Sequence, residues 1–270
     1  MKNYSIICEY FLELSHPDRL HIIDLLFEKN SRVSELAKKL GVTAQETHRN
    51  LSRLLQYGLV EKTVDGKYKI TEVGKILSSI SSLPQFVHTN KSFFDDHYLG
   101  HLPKKFIKRI GALSDCDQVQ GISRVLQKWK SIYKNADEFI YDITADSLSD
   151  FDTVIMSKVK KGILYRHMIS KNHREESERA KKLEALGFYD ALEKKQIQRK
   201  IMDSVEFMII LNEQESAVVF PDKSNNPDLR TMFYSKNRYF YDWCFDLYEY
   251  YWKKGKNNIR KPVMIINKNV

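Results

Sequence analysis

The stretch Ser34-Glu35-Leu36-Ala37-Lys38-Lys39-Leu40-Gly41-Val42-Thr43-Ala44-Gln45-Glu46 decides how this chain is read. It predicts a short helix capped by Ser34 and closed by Gly41, a three-residue turn, and a second helix capped by Thr43 with Glu46 as its capping-box partner. The second helix continues through Leu51, Leu54 and Leu55 to Tyr57-Gly58. After Leu59 the pattern turns from helical to alternating: Val60-Glu61-Lys62-Thr63-Val64, then Asp65-Gly66, then Lys67-Tyr68-Lys69-Ile70. Asp-Gly between two strand-like runs is a strong hairpin signal.

Working outward, residues 4–14 and 17–29 read as helices, the second opening on Ser15-His16-Pro17-Asp18 with Leu20, Ile23, Leu26 and Phe27 at helical spacing. Another helix is expected from Thr71 to about Ser82, ending near Pro84. Helix, short capped helix, turn, helix, two-residue hairpin and helix make a winged helix-turn-helix order, so residues 1–82 are expected to form an α+β DNA-binding domain.

The helix at 43–57 carries the chemistry. Steps of about 100° per residue put Thr47, Leu51, Leu54 and Leu55 on one side and Gln45, Arg49, Ser52, Arg53 and Gln56 on the other. Arginine pairs with guanine O6 and N7 and glutamine with adenine N6 and N7, so this face suits major-groove edges. His48 and Asn50 flank the stripe in reach of the backbone, and Ser34 and Thr43 join the candidate DNA contacts. In a two-residue hairpin Lys62 would oppose Lys69, with Lys67 on the same face; phosphate would then be the missing counterion of a wing lying along the duplex.

The stretch from Ser34 to Ile70 resembles the ArsR-like winged-helix regulators, in Ser-Glu-Leu-Ala-Lys-Lys-Leu-Gly-Val, in Leu54-Leu55-Gln56-Tyr57-Gly58-Leu59-Val60 and in Asp65-Gly66-Lys67-Tyr68. Metal-sensing members of that family carry a cysteine pair where this chain reads Glu35-Leu36-Ala37-Lys38, so the resemblance does not extend to metal sensing.

Beyond the hairpin, residues 83–120 form a connector too aromatic for a flexible linker, expected to pack between domains. Residues 122–133, 150–160 and 174–187 then read as helices, interleaved with strands at 138–144, 163–170, 197–202, 207–211 and 216–220. An aromatic helix follows at 235–254 and a basic tail at 256–270. Strands alternating with helices imply an α/β effector or dimerisation domain over residues 121–255. In Phe93-Phe94-Asp95-Asp96-His97, Leu102-Pro103, Lys161-Gly162, Val218-Val219-Phe220-Pro221 and the run from Trp243 to Trp252, this half resembles the effector domain of archaeal methanogenesis-regulator (FilR-type) proteins. It implies an architecture like phospholipase-D-like and TrmB sensor domains, transcriptional control, a homodimer and an archaeal cytoplasm.

Composition bounds the rest. A chain of 270 residues and 31.9 kDa holds about two domains, and 42% apolar with 29% charged residues describes a globular protein. The amino terminus shows no signal peptide and no window reaches a membrane span, so a cytoplasmic protein without membrane partners is expected. Cys8, Cys116 and Cys244 lie too far apart for a disulfide framework or a Cys-rich zinc site. Of the nine excess positive charges, six (Lys253, Lys254, Lys256, Arg260, Lys261, Lys268) lie from residue 253 onward.

No histidine is followed two residues later by lysine, which removes the His-x-Lys-x4-Asp route to hydrolysis, and no P-loop, GxGxxG, GxSxG or HExxH occurs. A DNA-binding regulator without catalytic residues, metal or cofactor is therefore expected, with a phosphodiesterase-like enzyme as the alternative. Two constellations remain: Asp142, Asp146, Asp150 and Asp152 after the first effector strand, and His97 with His101 beside Asp95 and Asp96. A small-molecule effector crevice is expected at the carboxyl ends of the strands, bordered by Tyr141, Asp142, Thr144, His167 and Ser170. The aromatic final helix, with residues such as Tyr239, Trp243 and Tyr250, is too dense for one buried stripe. It and the helix carrying Ile76, Leu77, Ile80 and Leu83 are the candidate dimer surfaces.

Overall fold

The computed structural model describes residues 3–145, 149–171 and 177–257. Asp146, Arg260, Lys261, Lys268 and the start of the expected helix at 174 lie outside the described residues. The chain divides into two compact units, Met1–Gln85 and Phe86–Val270, the first mainly helical and the second built on a sheet.

In the first unit α1 (Tyr4–Leu14), α2 (Pro17–Glu28), α3 (Val33–Leu40) and α4 (Ala44–Gln56) lead into a hairpin of β1 (Val60–Lys62) and β2 (Tyr68–Ile70), followed by α5 (Glu72–Ser78). Leu14, Ile22, Ile23, Leu26, Leu36, Leu51, Leu54, Leu59 and Tyr68 form its core. Gly41 closes α3 in the left-handed region at φ 71°, and Thr43 caps α4 as read, its hydroxyl accepting from Glu46 N at 3.2 Å while Glu46 takes the Thr43 N–H at 3.0 Å. Ser34 is not the cap of α3. Helix α3 begins two residues earlier, with Arg32 at the N-cap, and Glu35 satisfies the Arg32 N–H at 2.7 Å, leaving Ser34 exposed inside the first turn.

The hairpin register differs by one residue from the expected one. Val60 pairs with Ile70, Glu61 with Lys69 and Lys62 with Tyr68. Thr63 and Lys67 close the turn (Thr63 N to Lys67 O, 2.8 Å), so the loop is Val64-Asp65-Gly66, with Gly66 at φ 78°. The Thr63 hydroxyl donates to Asp65 at 2.6 Å and accepts from Lys67 N at 3.1 Å, which favours this three-residue loop over a two-residue turn. The helix expected to end near Pro84 instead breaks into a 3₁₀ turn at Ser79–Ser81 and resumes as α6 (Ser82–Asn90), with Pro84 in the first turn of α6, where a missing N–H costs little.

The second unit contains α7 (Phe93–Asp96), α8 (Lys104–Ile107), β3 (Asp117–Gln120), α9 (Ile122–Asn135), β4 (Phe139–Thr144), α10 (Asp152–Val159), β5 (Leu164–Ser170), α11 (Ser177–Leu186), α12 (Phe188–Glu193) and β6 (Ile197–Met202). It continues with β7 (Met208–Leu211), β8 (Ser216–Val219), β9 (Thr231–Ser235), α13 (Arg238–Lys254) and β10 (Lys256–Asn257). Eight strands form one sheet in the order β10-β6-β5-β4-β7-β8-β9-β3. β4, β5 and β6 are mutually parallel, and the remaining pairings are antiparallel.

Both faces of the sheet are covered, which explains why β4, β7 and β8 are buried at nearly every position. Val125, Trp129, Ile132, Ile155, Met156, Leu183 and Phe188 of the crossover helices cover one face. On the other face α13 packs with Phe86, Leu102, Phe106 and Leu113. The expected connector is therefore part of this unit's core from Phe86 onward, and its last residues are strand β3, which the expected boundary at 121 leaves out. Helix α13 is likewise no open dimer surface: Phe240, Tyr241, Trp243, Cys244 and Tyr248 are buried, and Trp243 Nε1 donates to Phe106 O at 3.1 Å. Its surplus of aromatics serves two buried sides, the sheet and the 86–113 segment, and only Tyr239 is strongly exposed. Among the described residues no helix is long and apolar enough to cross a membrane.

Candidate nucleic-acid interface

Helix α4 is held against the first unit's core by Thr47, Leu51 and Leu54, all fully buried. That anchoring leaves Gln45, His48, Arg49, Ser52, Arg53 and Gln56 exposed, as the periodicity requires. Gln45, Arg49 and Gln56 make no hydrogen bond or ion pair with any other described residue, and at about 100° per residue they fall within one narrow stripe. Ser52 Oγ donates back to His48 O at 2.9 Å and keeps a lone pair outward. Thr43 and Glu46 are spent on the cap, and hydrogen bonds from Thr43 lower the Glu46 carboxyl below the usual carboxylate range.

Two expected contacts go elsewhere. Asn50 is buried and donates to Asp18 Oδ2 at 3.4 Å, which follows from its place on the core side of α4. Arg53 forms a two-pronged ion pair with the fully buried carboxylate of Glu13 in α1: Nε donates to Oε2 at 2.7 Å and a second guanidinium nitrogen to Oε1. Arg19 supports the same point, its guanidinium donating to Leu12 O at 3.1 Å and to Glu13 O. Arg53 thus fastens α4 to α1 and is not free to read a base edge. The hydrogen bond from Arg53 holds the Glu13 carboxyl below the usual carboxylate range, against the opposing effect of burial.

The hairpin lysines also differ from expectation. Because the register is shifted, Lys69 faces Glu61 and pairs with it at 2.6 Å, while Lys67 pairs with Asp65 at 3.0 Å. The Thr63 hydroxyl and Lys67 together hold the Asp65 carboxyl at about 2. No opposed lysine pair exists. Lys62 lies on the other hairpin face beside Tyr68, exposed, its ammonium 6.0 Å from the ring centre. The first unit also exposes Arg32, Lys38 and Lys39 around α3 without an ion-pair partner among the described residues. These three were overlooked in the sequence; the exposed positions flanking the buried pair Leu36-Ala37 are the signal that would have found them.

In the second unit the residues chosen for an effector crevice do not share one wall. Strands β4 and β5 do pair, with Asp142 opposite His167, but alternation along them sends Asp142, Thr144 and His167 to the crossover-helix face and Tyr141 and Ser170 to the α13 face. Tyr141 stacks on Tyr248 and lies under Arg166 there. A cleft of about 530 Å³ does open past the carboxyl ends of β5 and β6 on the α13 side. It is lined by Lys171, Asp203, Glu206, Phe207, Tyr251 and Lys254 among others, and by none of the five expected residues. The acidic set does not converge either: Asp152 is held by Arg179 at 2.7 Å, Asp150 is exposed, and Asp142 accepts from Tyr133, Tyr165 and His167. His97 Nε2 meets Asp228 at 2.8 Å and His101 Nδ1 meets Glu206 at 2.6 Å, so the two histidines turn to different carboxylates and do not share an ion.

Residues 11–90 match the family model described as HVO_A0261 N-terminal domain. No curated protein matches the chain. Among solved structures the chain is similar to TrmBL2, an archaeal chromatin protein described as showing a novel mode of DNA binding, at 16% identity over 87% of this chain and 92% of that one, TM-score 0.44. It is also similar to Nuc, a phospholipase D family member from Salmonella typhimurium, at 11% identity over 53% of this chain and 97% of that one, TM-score 0.38. A third likeness, at 12% identity over 74% and 65% with TM-score 0.28, is to the dimethyltransferase RosA from Streptomyces davawensis.

Proposed function

We propose that the first unit is a winged helix-turn-helix that binds double-stranded DNA and that the protein is a transcriptional regulator. One observation carries the reading: α4 is fixed by a buried stripe while Gln45, Arg49 and Gln56 stand outward with no hydrogen bond or ion pair to any other described residue, a set of side chains suited to base edges rather than to structure. Ser34 in the first turn of α3 and Arg32, Lys38, Lys39 and Lys62 around it supply the phosphate contacts that set register. Lys67 and Lys69 would have to exchange a carboxylate for a phosphate, so they contribute less than Lys62. A phosphodiesterase-like reaction is disfavoured because the chain lacks a His-x-Lys pair.

The regulator is proposed to act as a homodimer. With the aromatics of α13 largely buried, the open apolar positions of the first unit include Val73, Ile76 and Leu83, and Phe11 and Leu12 on α1; Leu77 and Ile80 pack into its own core instead. Paired units reading half-sites one helical turn apart would match a palindromic operator. Gel shift with genomic fragments tests the first claim: Arg49→Ala should cost about 1–3 kcal/mol of specific affinity and relax sequence preference. Equal affinity of wild type and Arg49→Ala for every fragment would refute it. Light scattering at the 31.9 kDa of one chain, with and without DNA, would remove the dimer.

A further inference from the structure

The crossover-helix face of the sheet buries a positive charge that its packing does not account for. Strands β4, β5 and β6 are parallel and in register, with Asp142 beside His167 and His167 beside Arg199. Registered residues on strands about 4.8 Å apart point to the same face, so the three side chains form a row across the sheet.

The first member of the row is saturated. Asp142 accepts from the Tyr133 hydroxyl at 2.5 Å, the Tyr165 hydroxyl at 2.9 Å and His167 Nδ1 at 2.6 Å, and Trp129 Nε1 fixes Tyr133 at 3.0 Å. This network sets the His167 ring with Nδ1 on Asp142 and leaves Nε2 without a protein partner among the described residues. Arg199, at the far end, is only 8% exposed and makes no hydrogen bond or ion pair with any described residue. Its Nε is enclosed and without a partner among the described residues, and its guanidinium carbon lies 5.7 Å from the centre of the Phe188 ring. Two residues beyond Asp142 on the same face, Thr144 is 4% exposed and its Oγ1 is also enclosed without a partner.

An enclosed Nε of a charged group with no acceptor among the described residues carries an uncompensated desolvation cost. Asp142 does not relieve it, being occupied by three other donors, and the nearby Arg179 and Asp152 cancel each other. Donors without an acceptor among the described residues thus lie on one face of three parallel strands, His167 and Arg199 in mid-strand and Thr144 at the carboxyl end of β4. We propose that this face binds a small oxyanion, a carboxylate or a phosphate, with Arg199 as its charge partner and Thr144 Oγ1 and His167 Nε2 as the groups that orient it. The site is separate from the α13-side cleft, and it stands whether or not the first unit binds DNA.

The test is isothermal titration calorimetry and thermal unfolding of the full chain with sodium phosphate and with sodium succinate, against sodium chloride at equal ionic strength. One oxyanion should bind saturably and raise Tm while chloride does not, and which of the two does so separates phosphate from carboxylate. Arg199→Gln should weaken binding at least about ten-fold, the scale of a charge-assisted hydrogen bond. Arg199→Met separates this role from a structural one: without anion its Tm should equal or exceed the wild type, because the unpaired charge is gone, and its anion response should vanish. Thr144→Val, which removes only the hydroxyl, should weaken binding several-fold and serves where an Arg199 variant folds poorly. The proposal is overturned if neither anion binds saturably by about 10 mM, where a millimolar site is nearly full. It is equally overturned if folded Arg199→Met or Thr144→Val binds as the wild type does.

Discussion

Replacing Glu13 by Gln should loosen the first unit and free Arg53 at once. The Glu13 carboxylate is fully buried and takes a two-pronged hydrogen bond from Arg53, whose side chain is 49% exposed, while Arg19 at 11% waits behind it. Breaking a fully buried ion pair costs about 3–5 kcal/mol, and hydrogen bonds to charged groups are worth about 1.5–3 kcal/mol. Because Arg53 is half open to water, which screens the pair, the lower part of that range applies, about 2–3 kcal/mol. All three tryptophans (Trp129, Trp243, Trp252) lie in the second unit, so amide hydrogen exchange read by mass spectrometry is the assay that isolates the first. Peptides of α1, α2 and α4 should exchange about 30- to 150-fold faster, and second-unit peptides should not change. The effect has a defined pH sense. Arg53 holds the Glu13 carboxyl below its ordinary value in the folded state, so the stabilisation is complete above the unfolded value of about 4.3 and is lost as pH falls through the lower folded value. The gap between wild type and Glu13→Gln should therefore close on acidification below about pH 4. Arg53→Ala should reproduce the loss of protection with little loss of sequence-specific DNA affinity, and Arg49→Ala the reverse. If Arg53→Ala exchanges like the wild type yet binds DNA as poorly as Arg49→Ala, the structural role assigned to Arg53 is wrong.

Three further outcomes are expected. Gly74→Ala should destabilise the first unit by about 3 kcal/mol or more, since the added carbon would lie 2.1 Å from the backbone oxygen of Leu59; hydrogen exchange in the hairpin and α5 reads it. Tyr133→Phe should cost the second unit about 1–3 kcal/mol in urea unfolding followed by tryptophan fluorescence, because it strips a donor from buried Asp142 and an acceptor from Trp129. With a thiol reagent at pH 8, exposed Cys8 should react at once, while Cys116, which burial pushes up to about 12, and the fully buried Cys244 should react only on unfolding.

Local chemistry was legible and distant partnership was not. Thr43, Glu46 and Gly41 act within a few residues of themselves, so the punctuation of α3 and α4 could be read directly. The Arg53–Glu13 pair joins residues forty apart, and no spacing rule connects them. The hairpin was placed but slipped by one residue because the Thr63 hydroxyl, absent from the Asp-Gly signal, closes the loop. Strands β3 and β9 pair with each other and were missed: Asp-Gln-Val-Gln is polar, and Thr-Met-Phe-Tyr-Ser lies against the predicted helix start. For the effector residues, β4 and β5 do pair, but alternate residues of a strand face opposite sides of the sheet, which separates Tyr141 from Asp142.

The pairing of β3 with β9 and of Phe106 with Trp243 has a consequence for synthesis. The first unit's core is complete once residue 70 and its helix α5 have been made, so it can fold while the chain is still on the ribosome. The sheet unit cannot: its opening segment waits for partners more than a hundred residues downstream, and its aromatic face stays uncovered until α13 has left the exit tunnel. A nascent chain stalled before residue 238 would thus carry a finished helical head on an uncovered aromatic sheet. In that interval, rather than in the mature fold, its apolar surface is most open to aggregation.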